Sequence, residues 1–340
     1  MITGVKDTLN LLGKLTPRRL SNTAISYLSF YYSRLTGNTV HPAMPISVSI
    51  EPTTSCNLRC PECPSGLRSF TRPTGMLEKE VFTKSINEIH NSLLYLTFYF
   101  QGEPYLNPNF LEMVKYASAK RIYTSTSTNA HYLTDENARQ TVLSGLDRLI
   151  ISIDGTTQEV YQSYRVGGHL HKVIEGTKNI IKWKKELKSS TPYVLFQFLV
   201  VKPNQHQIDD VKKLARELGV DKVAFKTAQI YDYKDGSEFI TDIDKYSRYA
   251  RKEDGSYEIK NKLLNHCWKL WQSCVITWDG KVVPCCFDKD ASFTMGDLRE
   301  NSFKKIWNNE AYKNFREKLF RSRSEIEICK NCTEGTKVWA

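Results

Sequence analysis

The chain has 340 residues, with 48 Lys and Arg against 37 Asp and Glu and a formal net charge of +11. That length supports one large domain plus a smaller one and buries a substantial core without disulfide staples. Composition is that of an ordinary soluble globular protein, and no stretch reaches the roughly 20 apolar residues that a membrane-spanning helix needs.

The first segment, residues 1–44, begins "MITGVKDTLNLLGKL". Its apolar run is short and broken and has no small-residue cleavage site, so no secretory signal is expected. "SFYYSRL" (29–35) is expected as a helix packed on the main domain rather than one lying on a membrane. Residues 1–34 hold five basic side chains against Asp7. Such a patch suits anionic substrates, nucleic acid or a membrane surface, and solvated helix faces are the simpler expectation. A cytoplasmic, reducing location is expected, which turns the nine cysteines into metal or redox candidates.

Residues 45–230 alternate strand and helix patterns. "ISVSIEP" (46–52), "YLTFYFQG" (95–102), "RIYTSTSTN" (121–129), "RLIISIDG" (148–155), "YVLFQFLVV" (193–201) and "KVAFKTAQI" (222–230) are β-branched and aromatic-rich and end at turn residues. Between them, 77–93, 109–120, 134–145, 171–187 and 208–219 carry helical apolar spacing. Thr134 is a helix start and Gly219 a helix stop. This order predicts an α/β fold with a parallel sheet and right-handed crossovers. Six units are two short of a closed barrel, so a partial, TIM-like (β/α)6 barrel is expected, with chemistry at the C-terminal strand ends. Residues 231–262 are polar and glycine-containing and are read as a linker or surface excursion. Residues 263–340 form a small cysteine-rich domain, and their basic stretch, with eight cations against four acids over 301–330, is again read as solvated.

"CNLRCPECP" (56–64) sits behind the first strand. A cubane [4Fe–4S] cluster usually takes four thiolates; Cys56, Cys60 and Cys63 would leave one iron open to a small chelating molecule. A zinc knuckle borrowing a distant ligand such as His131 is the alternative. The spacing and its place after the first strand resemble the radical S-adenosylmethionine (radical SAM) enzymes. The resemblance implies that SAM binds the open iron and that electron transfer cleaves its sulfonium to a 5′-deoxyadenosyl radical, which abstracts hydrogen from substrate. "FQGEP" (100–104) resembles the family's Gly-Gly-Glu-Pro motif, with Gln101 in place of the first glycine. Gly102 and Glu103 would then approach SAM, the carboxylate accepting from its amino group. "STNA" (127–130) resembles a Thr-Asn-Gly strand end, offering Thr128 and carrying Ala130 for glycine. "ISIDG" (151–155) offers Ser152 and Asp154, and Arg165 in "YRVGG" would fork onto the methionine carboxylate. Glu62 departs from the aromatic residue common before the last cysteine.

In "CWKLWQSCVITWDGKVVPCCFD" (267–288) the strands "VITW" and "KVVP" form a hairpin turning at Asp279-Gly280. Cys329 and Cys332 follow the helix "SFKKIWNNEAYKNFREKLF". Cys267, Cys285, Cys329 and Cys332 can close a site for zinc or for an iron–sulfur cluster. Through "WDGKVVPC", "GDL" (296–298), "IW" (306–307) and the final pair, this segment resembles the SPASM extension in its one-cluster form, which implies a second, auxiliary [4Fe–4S] cluster. Cys274 and Cys286 are left over, with Cys274 the substitute ligand.

An auxiliary cluster suits net oxidation, and the absence of a second ligand set and of an N-terminal recognition domain points to a small molecule such as a sugar or cyclitol. A peptide-modifying maturase is the alternative, and a non-catalytic zinc or iron–sulfur nucleic-acid-binding regulator is an alternative of another class, although no aromatic-interleaved RNA motif appears and nucleic acid is not an expected partner. Electrons would come from a donor such as flavodoxin or ferredoxin. No general base is assignable: His169, His171, His206 and His266 qualify only by type.

Overall fold

The computed structural model describes residues 4–335. In chain order the elements are α1 (Val5–Leu12), α2 (Pro17–Thr36), β1 (Ser47–Ile50), α3 (Pro64–Leu67), α4 (Lys79–Ile89), β2 (Tyr95–Thr97), α5 (Phe110–Ala119), β3 (Tyr123–Thr128) and α6 (Asp135–Leu143). There follow β4 (Arg148–Ser152), α7 (Gln158–Tyr164), α8 (Leu170–Glu186), β5 (Tyr193–Val200), α9 (Ile208–Leu218), β6 (Lys222–Thr227), β7 (Tyr249–Arg251) and β8 (Tyr257–Ile259). The last are α10 (Lys269–Gln272), β9 (Ser273–Ile276), β10 (Lys281–Val283), β11 (Gly296–Asp297), α11 (Phe303–Trp307) and α12 (Glu310–Ser322). Strands β1–β6 are the six parallel strands expected of a partial barrel. Each stops one to five residues short of its sequence-predicted end, where the loops that carry polar residues begin.

Two compact units make up the chain, and neither is contiguous in sequence. The first contains residues up to Thr54, Phe70–Ser125 and residues from Leu263; the second contains Ser55–Ser69 and Thr126–Lys262. The division falls inside β3.

In the first unit β1 pairs in parallel with β2 (Val48 opposite Leu96), and β2 with β3 (Leu96 opposite Thr124). On its other side β1 pairs in parallel with β9, Val48 opposite Cys274. The predicted hairpin therefore extends the sheet, β9 running antiparallel to β10 and β10 to β11. Its loop is longer than the two residues expected. Gly280 N donates to Thr277 O (3.0 Å) and Thr277 N to Lys281 O (2.9 Å), with Gly280 at φ +81°. That is a three-residue loop, a turn closed by a left-handed residue, for which glycine is the unstrained choice. Glu51, just past β1, takes a two-pronged ion pair from Arg72 (2.6 and 2.9 Å) and a hydrogen bond from Trp278 N (3.1 Å), tying the strand end to this loop. The core joins Phe82 of α4, Phe98 and Phe110, whose rings meet edge-on or tilted at 5.6–5.8 Å. The single helix expected over 302–320 is broken between α11 and α12, because Asn309 accepts from Tyr312 N (3.0 Å) and caps a new helix.

In the second unit β4 pairs with β5 (Ile150 opposite Leu195) and β5 with β6 (Phe196 opposite Val223). All five β4 residues are buried, as in a strand covered on both faces. Thr134 caps α6 by accepting from Asn137 N, and Gly219 ends α9 in the left-handed region, φ +75°, as the sequence predicts. The segment expected as a linker has structure of its own: β7 and β8 pair antiparallel, and the Tyr249 hydroxyl both accepts from Ile230 N (2.8 Å) and donates to Ile230 O (3.0 Å). Its charge content marked it as surface, and the few aromatic residues that anchor it were outvoted.

α2 packs within the first unit, as expected of "SFYYSRL". Phe30 lies edge-on to Trp268 and Trp271, at 5.3 and 5.4 Å. Ser26 Oγ donates to Trp271 O (2.9 Å), and Asn22 Nδ2 to Met44 O (2.8 Å). No helix among the described residues is long and apolar enough to cross a membrane.

Candidate active site and second cysteine centre

The three-cysteine loop belongs to the second unit. Cys60 is buried, and Cys56 and Cys63 are half-buried against a cluster that includes Leu58, Tyr164, Val201 and Ile230. Short-range bonds wind the loop: Leu58 N points to Cys56 Sγ (3.4 Å) and Cys63 N to Cys60 O (3.3 Å). Cys63 then starts α3, and Gly66 of that helix presses on the backbone of Cys60. A Cβ there would stand 2.6 Å from Cys60 N and O. Tethers from the end of α7 and the end of β3 fix the loop: Arg59 N donates to Val166 O (2.9 Å), and Asn129 Nδ2 donates to Asn57 Oδ1 (2.8 Å) while lying 3.9 Å from Cys56 Sγ. Glu62, the departure before the last cysteine, accepts from Tyr231 N at 2.9 Å.

Arg165 reaches the thiols directly. Its Nη1 lies 3.6 Å from Cys60 Sγ and its Nε donates to Asp154 Oδ2 at 2.5 Å. Asp154 has no side-chain exposure, and its other oxygen accepts from Leu199 N (2.7 Å). Burial pushes the Cys60 thiol up, and the Arg165 guanidinium opposes that shift. Burial also works against the Arg165 charge, but Asp154 and Cys60 outweigh it and hold the guanidinium up. Two residues singled out for SAM thus form one chain with an expected cluster ligand: Asp154 holds Arg165, and Arg165 faces Cys60.

Thr128, at the end of β3, is buried, and its hydroxyl accepts from Ala130 N (3.0 Å). Ala130 takes φ +65°, the left-handed conformation for which the family pattern supplies glycine. Ser152 Oγ lies 3.5 Å from Ser127 Oγ at the end of β4. Asn129, inside the quoted "STNA", was passed over by sequence reading; an amide next to a strand-end threonine was the available signal.

Gly102 and Glu103 lie in the first unit. Gly102 has φ +73°, which explains why glycine survives where Gln101 replaces its neighbour. Glu103 is buried, and its Oε1 accepts from Tyr105 N (3.4 Å) at the start of a single 3-10 turn.

The second cysteine group is also in the first unit. Cys267 precedes α10, Cys285 follows β10, and Cys332 N donates to Cys329 O (3.0 Å) in the closing turn. Burial pushes Cys329 up to about 11, with Arg323 lowering it and Cys267 and Cys332 raising it further. Burial likewise raises Cys285, and Cys267 and Cys329 are among the thiols that add to it. The four expected ligands therefore sense one another, and so does the left-over Cys286, which adds to the rise of Cys285 and is itself raised by burial and by Cys332. Cys274 is held differently: burial takes it to about 12, and the groups that oppose this are Tyr312 and Arg316.

Arg323, which the sequence reading left among solvated cations, is at the centre of this group and only 1% exposed. Its Nη2 lies 3.2 Å from Cys332 Sγ and donates to Glu334 O (2.7 Å), while Nη1 donates to His266 O (3.2 Å). Burial disfavours its charge, and Cys267, Cys332 and Cys329 favour it more. Arg316 is buried too, stacked at 4.9 and 4.8 Å over Trp307 and Tyr312.

These donor sets fit iron–sulfur clusters. In both groups a guanidinium faces a cysteine sulfur, which lowers the cost of a buried thiolate. Both groups offer cysteine thiols as their donors, the ligands such a cluster takes.

The sequence profile of the Radical SAM superfamily matches residues 50–216, and that of the SPASM iron-sulfur cluster-binding domain matches 267–333. The chain is 27% identical over 299 residues to the tungsten-containing aldehyde ferredoxin oxidoreductase cofactor-modifying protein of Pyrococcus furiosus, covering 78% of this chain and 82% of that protein. It is 25% identical over 323 residues to the antilisterial bacteriocin subtilosin biosynthesis protein AlbA of Bacillus subtilis, covering 89% and 67%. It is 25% identical over 313 residues to the PqqA peptide cyclase of Bradyrhizobium diazoefficiens, covering 85% and 79%. In fold it is similar to SuiB of Streptococcus suis bound to S-adenosylmethionine (TM-score 0.64, 13% identity, 91% of this chain and 76% of that one). It is also similar to BtrN in complex with AdoMet and 2-DOIA (TM-score 0.52, 18% identity, 86% and 94%).

Proposed function

Because the chain belongs to the radical SAM superfamily and is an enzyme of its SPASM branch, with SAM and iron–sulfur clusters as cofactors, we propose that it modifies a peptide substrate by hydrogen abstraction and oxidation. When bound, the first cluster and SAM supply one-electron cleavage of the sulfonium and an oxidant for an unactivated C–H bond. Cys56, Cys60 and Cys63 would hold that cluster; Arg165, braced by Asp154, and the Asn129 amide would stabilise its thiolates. Gly102, Glu103, Thr128 and Ser152 are the proposed SAM contacts. Cys267, Cys285, Cys329 and Cys332 would hold the auxiliary cluster, with the Arg323 charge offsetting part of theirs. In segment terms, residues 45–230 carry the SAM chemistry and 263–340 the auxiliary cluster; 1–44 are a helical extension and 231–262, which carry the β7–β8 pair, fall between them in sequence. Residues 1–3 and 336–340 of these segments lie outside the described residues. The electron donor would be a protein such as flavodoxin or ferredoxin.

One observation carries the peptide reading: over 85–89% of this chain, its relatives include a peptide cyclase and a protein of bacteriocin biosynthesis. It replaces the small-molecule substrate expected from the sequence. That second reading, a sugar or cyclitol, retains one argument, the single set of four ligands in the second cysteine group. Deuterium tracing separates them. The reconstituted enzyme, under strong reductant, is given a deuterated peptide library or a deuterated panel of sugars and cyclitols. Label arriving in 5′-deoxyadenosine from peptides supports the proposal; label arriving only from the small-molecule panel overturns it.

A further inference from the structure

The amphipathicity of the N-terminal helices is reversed. α2 turns Asn22, Ser26, Ser29 and Ser33 inward with Phe30, and its buried face is held by hydrogen bonds rather than by aliphatic packing. Arg19, also buried, donates to the carbonyl oxygens of Lys14, Arg121, His90 and Lys120. Leu20, Ile25, Leu28, Tyr32 and Leu35 point outward. At 100° per residue these five fall within a 140° arc opposite the serines. α1 repeats the pattern: Asp7 is buried and accepts from the Tyr123 hydroxyl, whereas Val5, Leu9 and Leu12, spaced for one face, are exposed. Leu28 is 66% and Leu35 84% exposed, values far from those of a core helix. An apolar stripe of this length on a protein surface, interrupted among its exposed positions by Ser21, marks an interaction site.

Charge identifies what covers it. From Gly4 to Val40 the exposed charged side chains, Lys6, Arg18 and Arg34, are all basic, and the single acid of the segment is the buried Asp7. On α2, Arg18 and Arg34 flank the aliphatic arc on opposite sides, and the tyrosines at 31 and 32 lie along it. Aliphatic side chains on one face, cations at its margins, aromatic rings between them and too little hydrophobicity to span are the properties of a helix that lies in a lipid interface. An acidic protein partner would meet cations at the centre of the contact, not only at its edges. We infer that α1 and α2 form a docking surface for an anionic lipid bilayer, on which the enzyme rests without crossing it.

The test is flotation of the cluster-loaded full chain with phosphatidylcholine vesicles, with or without phosphatidylglycerol. Binding to the anionic vesicles alone is expected, and it should weaken with salt. Arg18→Gln and Arg34→Gln should each lower vesicle affinity roughly fivefold. Leu28→Glu with Leu35→Glu should abolish flotation while iron content and circular dichroism stay unchanged. Should the glutamates disturb folding, Leu28→Ala with Leu35→Ala must still weaken binding at unchanged iron content. Absence of flotation, equal binding to neutral vesicles, or flotation indifferent to these leucines would overturn the inference. So would a dimer in solution that Leu28→Glu splits without any vesicle binding, which would assign the stripe to a second copy of the chain.

Discussion

The two cysteine centres solve the same problem by opposite routes. In the first, three expected ligands sit within eight residues, and the end of β3 and the end of α7 only brace a loop that already brings them together: Asn129 on Asn57, Val166 on Arg59, Arg165 on Cys60. In the second, the four expected ligands come from three separate places in the sequence, and a buried guanidinium stands beside three of them, Cys267, Cys329 and Cys332. A centre encoded locally can be read from a short motif. One encoded by convergence depends on packing, and its central residue need not resemble a site residue at all.

Loss of one ligand from each centre should separate their roles most sharply. Cys60→Ala is expected to abolish SAM cleavage and lower iron from about eight per chain to about four. Cys329→Ala should reach a similar iron count yet retain 5′-deoxyadenosine formation while losing oxidised product. Product formation by the Cys329 variant would break the division of labour.

The guanidinium groups come next. Arg165→Met strands the fully buried Asp154 carboxylate, at about 3–5 kcal/mol. Arg323→Met loses hydrogen bonds to two carbonyls and a thiol but strands no acid, at about 1–3 kcal/mol. Urea unfolding of the cluster-free variants measures both, and a larger loss at Arg323 would reverse the ranking. Iron retention after reconstitution should fall at the first centre for one variant and at the second for the other.

Two glycines give the smallest and most local contrast. Gly66→Ala places a Cβ against the Cys60 backbone, which cannot yield, and should cost about 1–3 kcal/mol. Gly335→Ala places one 2.2 Å from Cys267 Sγ, at φ +82°, so the thiol itself must turn. The second variant is therefore expected to alter the auxiliary cluster's electron paramagnetic resonance signal and to lose about 1–2 kcal/mol from the left-handed backbone alone. Unchanged spectra would show that Cys267 tolerates reorientation.

Much of this was legible in the sequence. The six strands, the cap at Thr134, the stop at Gly219 and the three-cysteine loop are set by neighbouring residues, and local patterns report them. Arg316 and Arg323 were not legible, because a cation in a basic helical stretch looks solvated unless the aromatic rings or thiols around it are known, and those lie at positions 267–271 and 307–332. Which face of α2 turns inward was not legible for the complementary reason: periodicity detects that a helix is two-faced without saying which face the backbone carbonyls of Trp271 and Met44 will claim. The break at Asn309 lay in an otherwise helical pattern, where one capping side chain outweighed the propensity of its neighbours.

The parallel pairing of β1 with β9 has a consequence for synthesis on the ribosome. Ser47 acquires its partner Ser273 only after 226 further residues have been made, which at ordinary elongation rates takes roughly 10–45 s. Through that interval one edge of the first strand has unfilled hydrogen-bonding positions, a condition that invites pairing with other chains. The nascent protein therefore passes through a long window in which that strand edge is open to pairing with other chains.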